Sequence, residues 1–134
     1  MMKKNQGFSL VELIIVVALI GIVTVFGFGY YGDNVISANR TEGRSALSET
    51  AGALEKCRSL YGTYNAANCQ VTFPVQSASN LYSVTVTAMD GESFTLQADP
   101  VAGGSQANDA ECTQMSLTNT GLKTGTGADP TQCW

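Results

Sequence analysis

The sequence predicts an α+β protein in which one long N-terminal helix precedes an antiparallel sheet of three or four strands. Apolar residues recur at helical spacing up to Tyr61, and from Leu81 onward they alternate with polar residues at a period of two. The 134 residues suffice for one domain, and four cysteines favour disulfides in a small core with few large apolar side chains.

The N-terminal segment reads first as a membrane anchor. Its apolar run extends over 19 positions from Leu10 to Phe28, close to the about 20 residues that a helix needs to cross a bilayer core. Lys3 and Lys4 precede the run and orient its N-terminus towards the cytoplasm. A plain anchor does not explain Glu12, because a carboxylate inside a membrane costs about 3 kcal/mol and usually has a function.

Cleavage between Gly7 and Phe8 would give Glu12 a partner. The cut creates a positive α-amine on Phe8, four positions before Glu12 and therefore on the same helix face. Either the amine of the same chain or that of an axially staggered neighbour could pair with the carboxylate. In the second case, docking of the neighbour relieves the desolvation of Glu12 and drives assembly.

The helix is predicted to continue from Asp33 to Tyr61 and to end near Gly62. One seam along it is expected to face the sheet, with Arg40 and Arg44 on the opposite, polar side. The seam consists of Ile36, Gly43, Leu47, Ala51, Leu54 and Tyr61. The first half of the helix is expected to stand clear of the globular part, within lipid or a polymer, because so apolar a helix cannot persist in water.

Three stretches after the helix predict strands: LYSVTVTAM, SFTLQAD and QMSLTNTG. The first two flank the turn sequence DGE, which indicates a hairpin. One face of the sheet is expected to be buried by the helix, whereas the tail KTGTGADPTQCW reads as turns. The alternating residues on the predicted inner face are Tyr82, Val84, Val86, Ala88, Phe94, Leu96, Ala98, Met115 and Leu117.

Composition excludes several classes of function. The chain contains no histidine, no Cys-x2-Cys pair and no phosphate-binding Gly-x4-Gly-Lys loop, so neither a catalytic residue, a metal nor a cofactor is expected. The net charge of −4 becomes −6 if cleavage removes Lys3 and Lys4. Four of the five remaining basic residues lie on the predicted helix, where they are more typical of a solvated helix face than of a phosphate-binding surface. Because the chain is acidic, nucleic acid is not expected as a partner.

The stretch KKNQGFSLVELIIVVALIGIV resembles the class III signal of type IV pilins. The resemblance implies that a prepilin peptidase cuts after Gly7 and N-methylates Phe8, and that Glu12 pairs with the Phe8 amine of an adjacent subunit. It also implies a leader at 1–7, a helix at 8–30 that spans the inner membrane once and then forms the filament core, and a globular head at 31–134.

The resemblance extends to the PilE-like subgroup of type IVa pilins. It rests on NRTEG, on TYN followed by a cysteine, and on the terminal CW; it covers most of the chain, although only the N-terminal third is tightly specified. Two cysteines of pilins commonly enclose a C-terminal loop, the D-region. This implies the disulfide Cys112–Cys133 and leaves Cys57–Cys69, out of three pairings that four cysteines allow.

One departure from the pilin pattern concerns the helix beyond the apolar run. Many pilins have a proline where this chain has Gly29, and Gly27 and Gly32 lie nearby. Because each glycine weakens a helix interior by about 1 kcal/mol relative to alanine, a bend or locally unwound segment is expected here in the filament. The alternative is a continuous helix whose glycines permit close packing.

The function that the resemblance implies is that of a structural subunit, not an enzyme. The chain would polymerise, with itself or with other pilins, into a surface pilus used for adhesion, twitching motility or DNA uptake. Its other partners would be the prepilin peptidase, the inner-membrane assembly platform and, before assembly, the membrane. Whether it is a major or a minor subunit stays open, and the alternatives are a DNA-binding minor pilin and a type II secretion pseudopilin.

Overall fold

The computed structural model describes residues 8–134, except for the side chains of residues 27–30. The chain divides into one unit that ends at Val35 and a second unit, Ile36–Trp134. Helix α1 spans Leu10–Tyr61. It is followed by the strands β1 (Val75–Gln76), β2 (Tyr82–Met89), β3 (Phe94–Pro100), β4 (Gln114–Thr118) and β5 (Lys123–Thr126), with short 3-10 helices at Ser105–Asn108 and Pro130–Cys133.

The five strands form one antiparallel sheet in the order β1-β2-β3-β4-β5. The α+β class and the long helix are confirmed, but the expected number of strands is too low. The additional strands lie at the two edges, where β1 contains only two residues and β5 reads KTGT. Neither carries enough apolar alternation to be recognised in the sequence.

The core lies between the second half of α1 and the inner face of the sheet. Leu47 and Leu54 of α1 are fully buried against Tyr82, Leu96 and Met115 of the strands. The rings of Tyr64 and Phe94 pack at right angles, with the centroids 4.9 Å apart. The burial of β3 and β4 residues follows the predicted alternation, which confirms the expected packing of the helix on the sheet.

Two predicted orientations on α1 are wrong. Tyr61, placed on the buried seam, is 45% exposed, because the helix ends there, at a distance from the sheet core. Arg40, placed on the polar side, is only 2% exposed and takes part in an ion pair.

The end of the helix is confirmed: Gly62 follows with a φ of 80°, and its N–H donates to the Arg58 carbonyl at 2.7 Å.

The inner-face prediction also fails at Ala88, which is exposed. The register of β2 against β3 shifts between Val86 and Ala88, so that a bulge leaves Thr87 without a paired residue. Ala88 therefore lies opposite Thr95 and shares its outward orientation, because one extra residue reverses the alternation of a strand.

The first unit contains the apolar half of α1. Within the described residues no single helix is both long and apolar enough to cross a membrane, and only the bent pair Leu10–Phe26 and Tyr31–Tyr61 reaches that length and composition in combination. The helical assignment runs through Gly27, Gly29 and Gly32. The bend or unwinding at these glycines concerns the filament and stays a prediction.

Candidate assembly site

The apolar half of α1 presents one continuous apolar surface. In the single chain every large apolar side chain from Phe8, just before α1, to Phe26 is exposed, up to 79% for Phe8. A soluble monomer rarely exposes an apolar patch of this extent, so the surface requires lipid or a protein partner. The exposed residues are Phe8, Leu10, Val11, Leu13, Ile14, Ile15, Val16, Val17, Leu19, Ile20, Ile22, Val23, Val25 and Phe26.

Glu12 is the only charged residue between Phe8 and Phe26, and it lies in the first turn of α1. A carboxylate is favoured there by the free N–H groups and the positive end of the helix dipole. Another polar side chain in the segment, Thr24, is satisfied within its own helix, since its hydroxyl donates to the carbonyls of Ile20 and Gly21 at 3.1 and 2.9 Å.

The predicted cleavage pair is only partly visible. Phe8 is exposed just before the start of α1, whereas Gly7 lies outside the described residues. No hydrogen bond or ion pair within residues 8–134 reaches the Glu12 carboxylate. Within the described residues the carboxylate is thus available to a partner, and its pairing with an amine stays a prediction.

Both disulfides join the cysteines that the pilin resemblance implies. Cys57 and Cys69 are bonded at 2.06 Å and connect the last turns of α1 to the loop that follows it. Cys112 and Cys133 are bonded at 1.99 Å and enclose β4 and β5. The second bond therefore closes the C-terminal loop that corresponds to a D-region.

Two arginines of α1 hold both ends of this C-terminal loop. The Arg40 guanidinium donates from Nε and Nη2 to the two carboxylate oxygens of Asp109, each at 2.7 Å, and from Nη2 to Glu111 Oε2 at 2.8 Å. Arg44, one turn later, donates to the carbonyls of Cys133 at 2.8 Å and Gln132 at 3.0 Å. The arginine clamp, Arg40 and Arg44, thus fixes the loop on the helix.

The charges of Arg40 and Asp109 stabilise each other. The hydrogen bonds with Asp109 raise the pKa of Arg40 above its ordinary value. Burial alone would raise the pKa of Asp109, but the guanidinium of Arg40 and the N–H of Cys112 outweigh it and lower that pKa. Sequence patterns missed this contact because a charged helix residue usually faces solvent, and only the fold brings residue 109 to residue 40.

A neutral network lies beside the clamp. Gln106 is fully buried; its amide donates to the Tyr82 hydroxyl at 2.8 Å and to the Ile36 carbonyl at 3.1 Å, and its oxygen accepts from Asn39 at 3.2 Å. Burial raises the pKa of Tyr82. The network ties the 3-10 helix Ser105–Asn108 to α1. Among the residues that the structure describes, no group of His, Cys, Asp or Glu is arranged to hold a metal ion.

Two family models match the chain. Residues 2–28 match the prokaryotic N-terminal methylation motif, and residues 30–116 match the model described as type IV minor pilin ComP, DNA uptake sequence receptor. No curated protein matches the sequence.

Among solved structures, the chain is similar to the selenomethionine crystal structure of the Neisseria meningitidis non-core minor pilin PilV. The identity is 24% and the TM-score 0.55, over 72% of this chain and 91% of that chain. This similarity shows the fold. The methylation motif is that of pilins which are processed at the membrane and assembled into an extracellular pilus. Since the minor-pilin model covers more than half of the chain, the chain belongs to the ComP family of type IV minor pilins and is a pilus subunit.

Proposed function

We propose that the chain enters a type IV filament through the apolar half of α1, after cleavage between Gly7 and Phe8 and N-methylation of Phe8. The observation that carries this proposal is the exposed apolar half of α1, in which Glu12 is the single charge up to Phe26 and has no partner among residues 8–134. In the filament the Phe8 amine of an adjacent subunit pairs with Glu12. This pairing removes the penalty of an isolated charge in an apolar core.

Before assembly, residues 8–30 span the inner membrane once, with the N-terminus in the cytoplasm. The head, residues 31–134, then lies outside, where both disulfides persist in an oxidising compartment. The partners are the prepilin peptidase, the assembly platform and other pilins. Energy for extension comes from ATPases of the machinery, and the role of this chain is structural.

The test compares Glu12→Leu with Thr24→Leu, which also replaces a polar residue of the same apolar helix by leucine. A leucine in place of Glu12 cannot pair with an amine, so we expect the presence of this variant in sheared surface fibres to fall at least tenfold, which corresponds to about 1.4 kcal/mol. Cleavage and the amount in the membrane fraction should be unchanged. Thr24→Leu should enter fibres normally. Equal amounts of both variants in fibres would contradict the pairing of Glu12.

A second candidate function, that of a DNA receptor, is favoured by the family match over residues 30–116. The charges of the head restrict it, since residues 31–134 contain ten acidic and five basic side chains. Arg40 and Arg44 already bind acceptors within the chain. Arg58 likewise donates to an acceptor within the chain, the Glu92 carbonyl, at 2.8 Å. Lys56 and Lys123 are then the basic side chains left for phosphates.

Salt dependence tests the DNA role. With about two phosphate contacts, the logarithm of the binding constant for a DNA duplex should fall with the logarithm of salt concentration at a slope no steeper than about −1.8. The measurement uses fluorescence anisotropy of labelled duplex with the full chain in detergent micelles. The double variant Lys56→Ala/Lys123→Ala should flatten the slope. Undetectable binding at micromolar protein would contradict the DNA role and leave the pilus role intact.

A further inference from the structure

The loop between α1 and β2 contains a strand-like segment, Cys69–Gln76, here called the loop strand. Burial alternates along it: Val71, Phe73 and Val75 are half-buried and pack against the core, whereas the residues between them are exposed. This period of two is typical of a β-strand with one face on a core, and a bend at Phe73 and Pro74, which are joined by a cis peptide bond, separates residues 69–72 from β1. Only its last two residues, β1, pair with β2.

The rest of the loop strand has unpaired backbone groups. Within residues 8–134, no hydrogen bond reaches the N–H or C=O groups of residues 70–73. The opposite edge of the sheet is covered, because the Trp134 indole N–H donates to the Thr124 carbonyl at 2.8 Å and Cys133 packs on Gly125. An exposed strand edge of this kind is a template for another strand.

A groove runs between the loop strand and α1. It consists of two adjoining cavities of about 440 and 350 Å³, which share Ala53, Gln70 and Val71 as lining residues. One wall of the larger cavity is the loop strand and the other is a face of α1. That face consists of Glu42, Ser45, Ala46, Glu49, Thr50 and Ala53. A strand that enters the groove would therefore lie beside the unpaired residues 70–73 and could also contact side chains of α1.

The larger cavity is acidic. Glu42 accepts a hydrogen bond from the Ser79 N–H and others from the side chains of Ser77 and Ser79. Glu49 accepts from the Ser45 hydroxyl at 3.0 Å, which leaves its second oxygen for a ligand. Desolvation would raise the pKa of Glu42, but hydrogen bonds from Ser77 and Ser79 lower it and keep the group charged. The smaller cavity carries Lys56 and the 63% exposed Leu60.

We propose that this groove binds an extended segment of another protein, which adds as a strand to residues 70–73 and places basic side chains over Glu42 and Glu49. Strand addition obtains affinity from backbone hydrogen bonds and specificity from alternate side chains. A second copy of the head does not fit, because its basic strand residue, Lys123, lies on the edge covered by the C-terminus. The proposal is independent of Glu12 and of DNA binding.

The first experiment uses the full mature chain in detergent micelles and a synthetic eight-residue peptide that alternates lysine with valine. The control peptide has glutamate in place of lysine. Amide hydrogen exchange followed by mass spectrometry is expected to show at least tenfold slower exchange of residues 70–73 with the lysine peptide only. Equal protection by both peptides, or protection elsewhere only, would overturn the proposal.

Two pairs of variants test the contacts separately. Thr72→Pro removes one unpaired backbone N–H and should abolish binding of the lysine peptide, whereas Thr72→Ala keeps the N–H and should bind normally. Glu42→Gln/Glu49→Gln should weaken binding at least tenfold, although the glutamine oxygen can still accept from Ser79. Exchange in β3 and β4 checks that each variant is folded.

Equal binding by Thr72→Pro and Thr72→Ala would overturn the strand addition. Unchanged binding by the double glutamine variant would overturn the choice of a basic partner. Protection of residues 70–73 that grows with protein concentration in the absence of peptide would show that a second copy fills the groove, which also contradicts the proposal.

Discussion

Gly43 sets how closely α1 can approach the sheet. A Cβ atom at this position would lie 3.1 Å from two ring atoms of Tyr82 and would also contact the methyl end of Met115. Gly52, nine residues later on the same helix, has no atom within 4 Å of such a Cβ. The two glycines therefore provide a matched pair, one required by packing and one not.

We expect Gly43→Ala to destabilise the head by about 1–3 kcal/mol, because the added methyl overpacks the contact with Tyr82. Gly52→Ala should instead stabilise it by about 0.5–1 kcal/mol through the higher helix propensity of alanine. Urea unfolding followed by near-ultraviolet circular dichroism measures both changes. Equal stability of the two variants would show that α1 does not pack on Tyr82 as described.

Asp109 links stability to pH. Its pKa is lowered from 3.8 because Arg40 and the Cys112 N–H outweigh the effect of burial. A carboxyl with a lowered pKa contributes stability that is fully present above its ordinary pKa and is lost as the pH falls through the folded value. The head should therefore lose stability below about pH 4 by protonation of Asp109.

Asp109→Asn should lower the free energy of unfolding by about 3 kcal/mol at pH 7, because the buried charge of Arg40 loses the carboxylate that neutralises it. Glu111→Gln is the control: the Glu111 side chain is 60% exposed, and its loss should cost less than about 1 kcal/mol. Urea midpoints between pH 3 and pH 7 should show the Asp109→Asn difference shrinking as the pH falls. A difference that grows at low pH would contradict the assigned ion pair.

At the scale of elements, the C-terminal loop is held by a disulfide and by the arginine clamp. Cys112→Ser/Cys133→Ser should lower the free energy of unfolding by about 3 kcal/mol, as expected for a loop of this size. Exchange of amides in β4 and β5 should accelerate more than exchange in α1 between Ala46 and Leu54.

The matched control is Cys57→Ser/Cys69→Ser, which should accelerate exchange at the end of α1 and in the following loop instead. Identical exchange patterns in the two double variants would show that the disulfides do not stabilise separate regions. Arg40 and Arg44 should keep the reduced C-terminal loop near α1, so that its exchange stays slower than that of an unfolded chain.

The sequence predicts those elements whose periodicity continues over several residues. The helix and the strands β2 to β4 have such patterns. The outward orientation of Ala88 could not be predicted, because the alternation of apolar residues in the sequence does not reveal the bulge at Thr87. β1 is too short to show a strand pattern, and β5 shows none because it has no large apolar residue. The burial of Arg40 depends on Asp109, which lies 69 residues away in the sequence.

At the scale of the whole chain, Glu12 could be recognised from sequence because a lone charge in an apolar run requires a partner. The groove beside the loop strand could not, because it depends on the placement of α1 next to a loop without strong periodicity. We propose different partners for the two features: apolar helices of other pilins for Glu12 and an extended basic segment for the groove.

The most direct test of incorporation is the mass of the N-terminal peptide of this chain in sheared and purified surface fibres. We expect a peptide that begins at Phe8 and carries one methyl group on its amine, present in the fibres of cells that express the chain and absent from fibres of cells that lack it. Fibres that never contain the chain, or that contain it with residues 1–7 still attached, would contradict assembly through a cleaved and methylated Phe8.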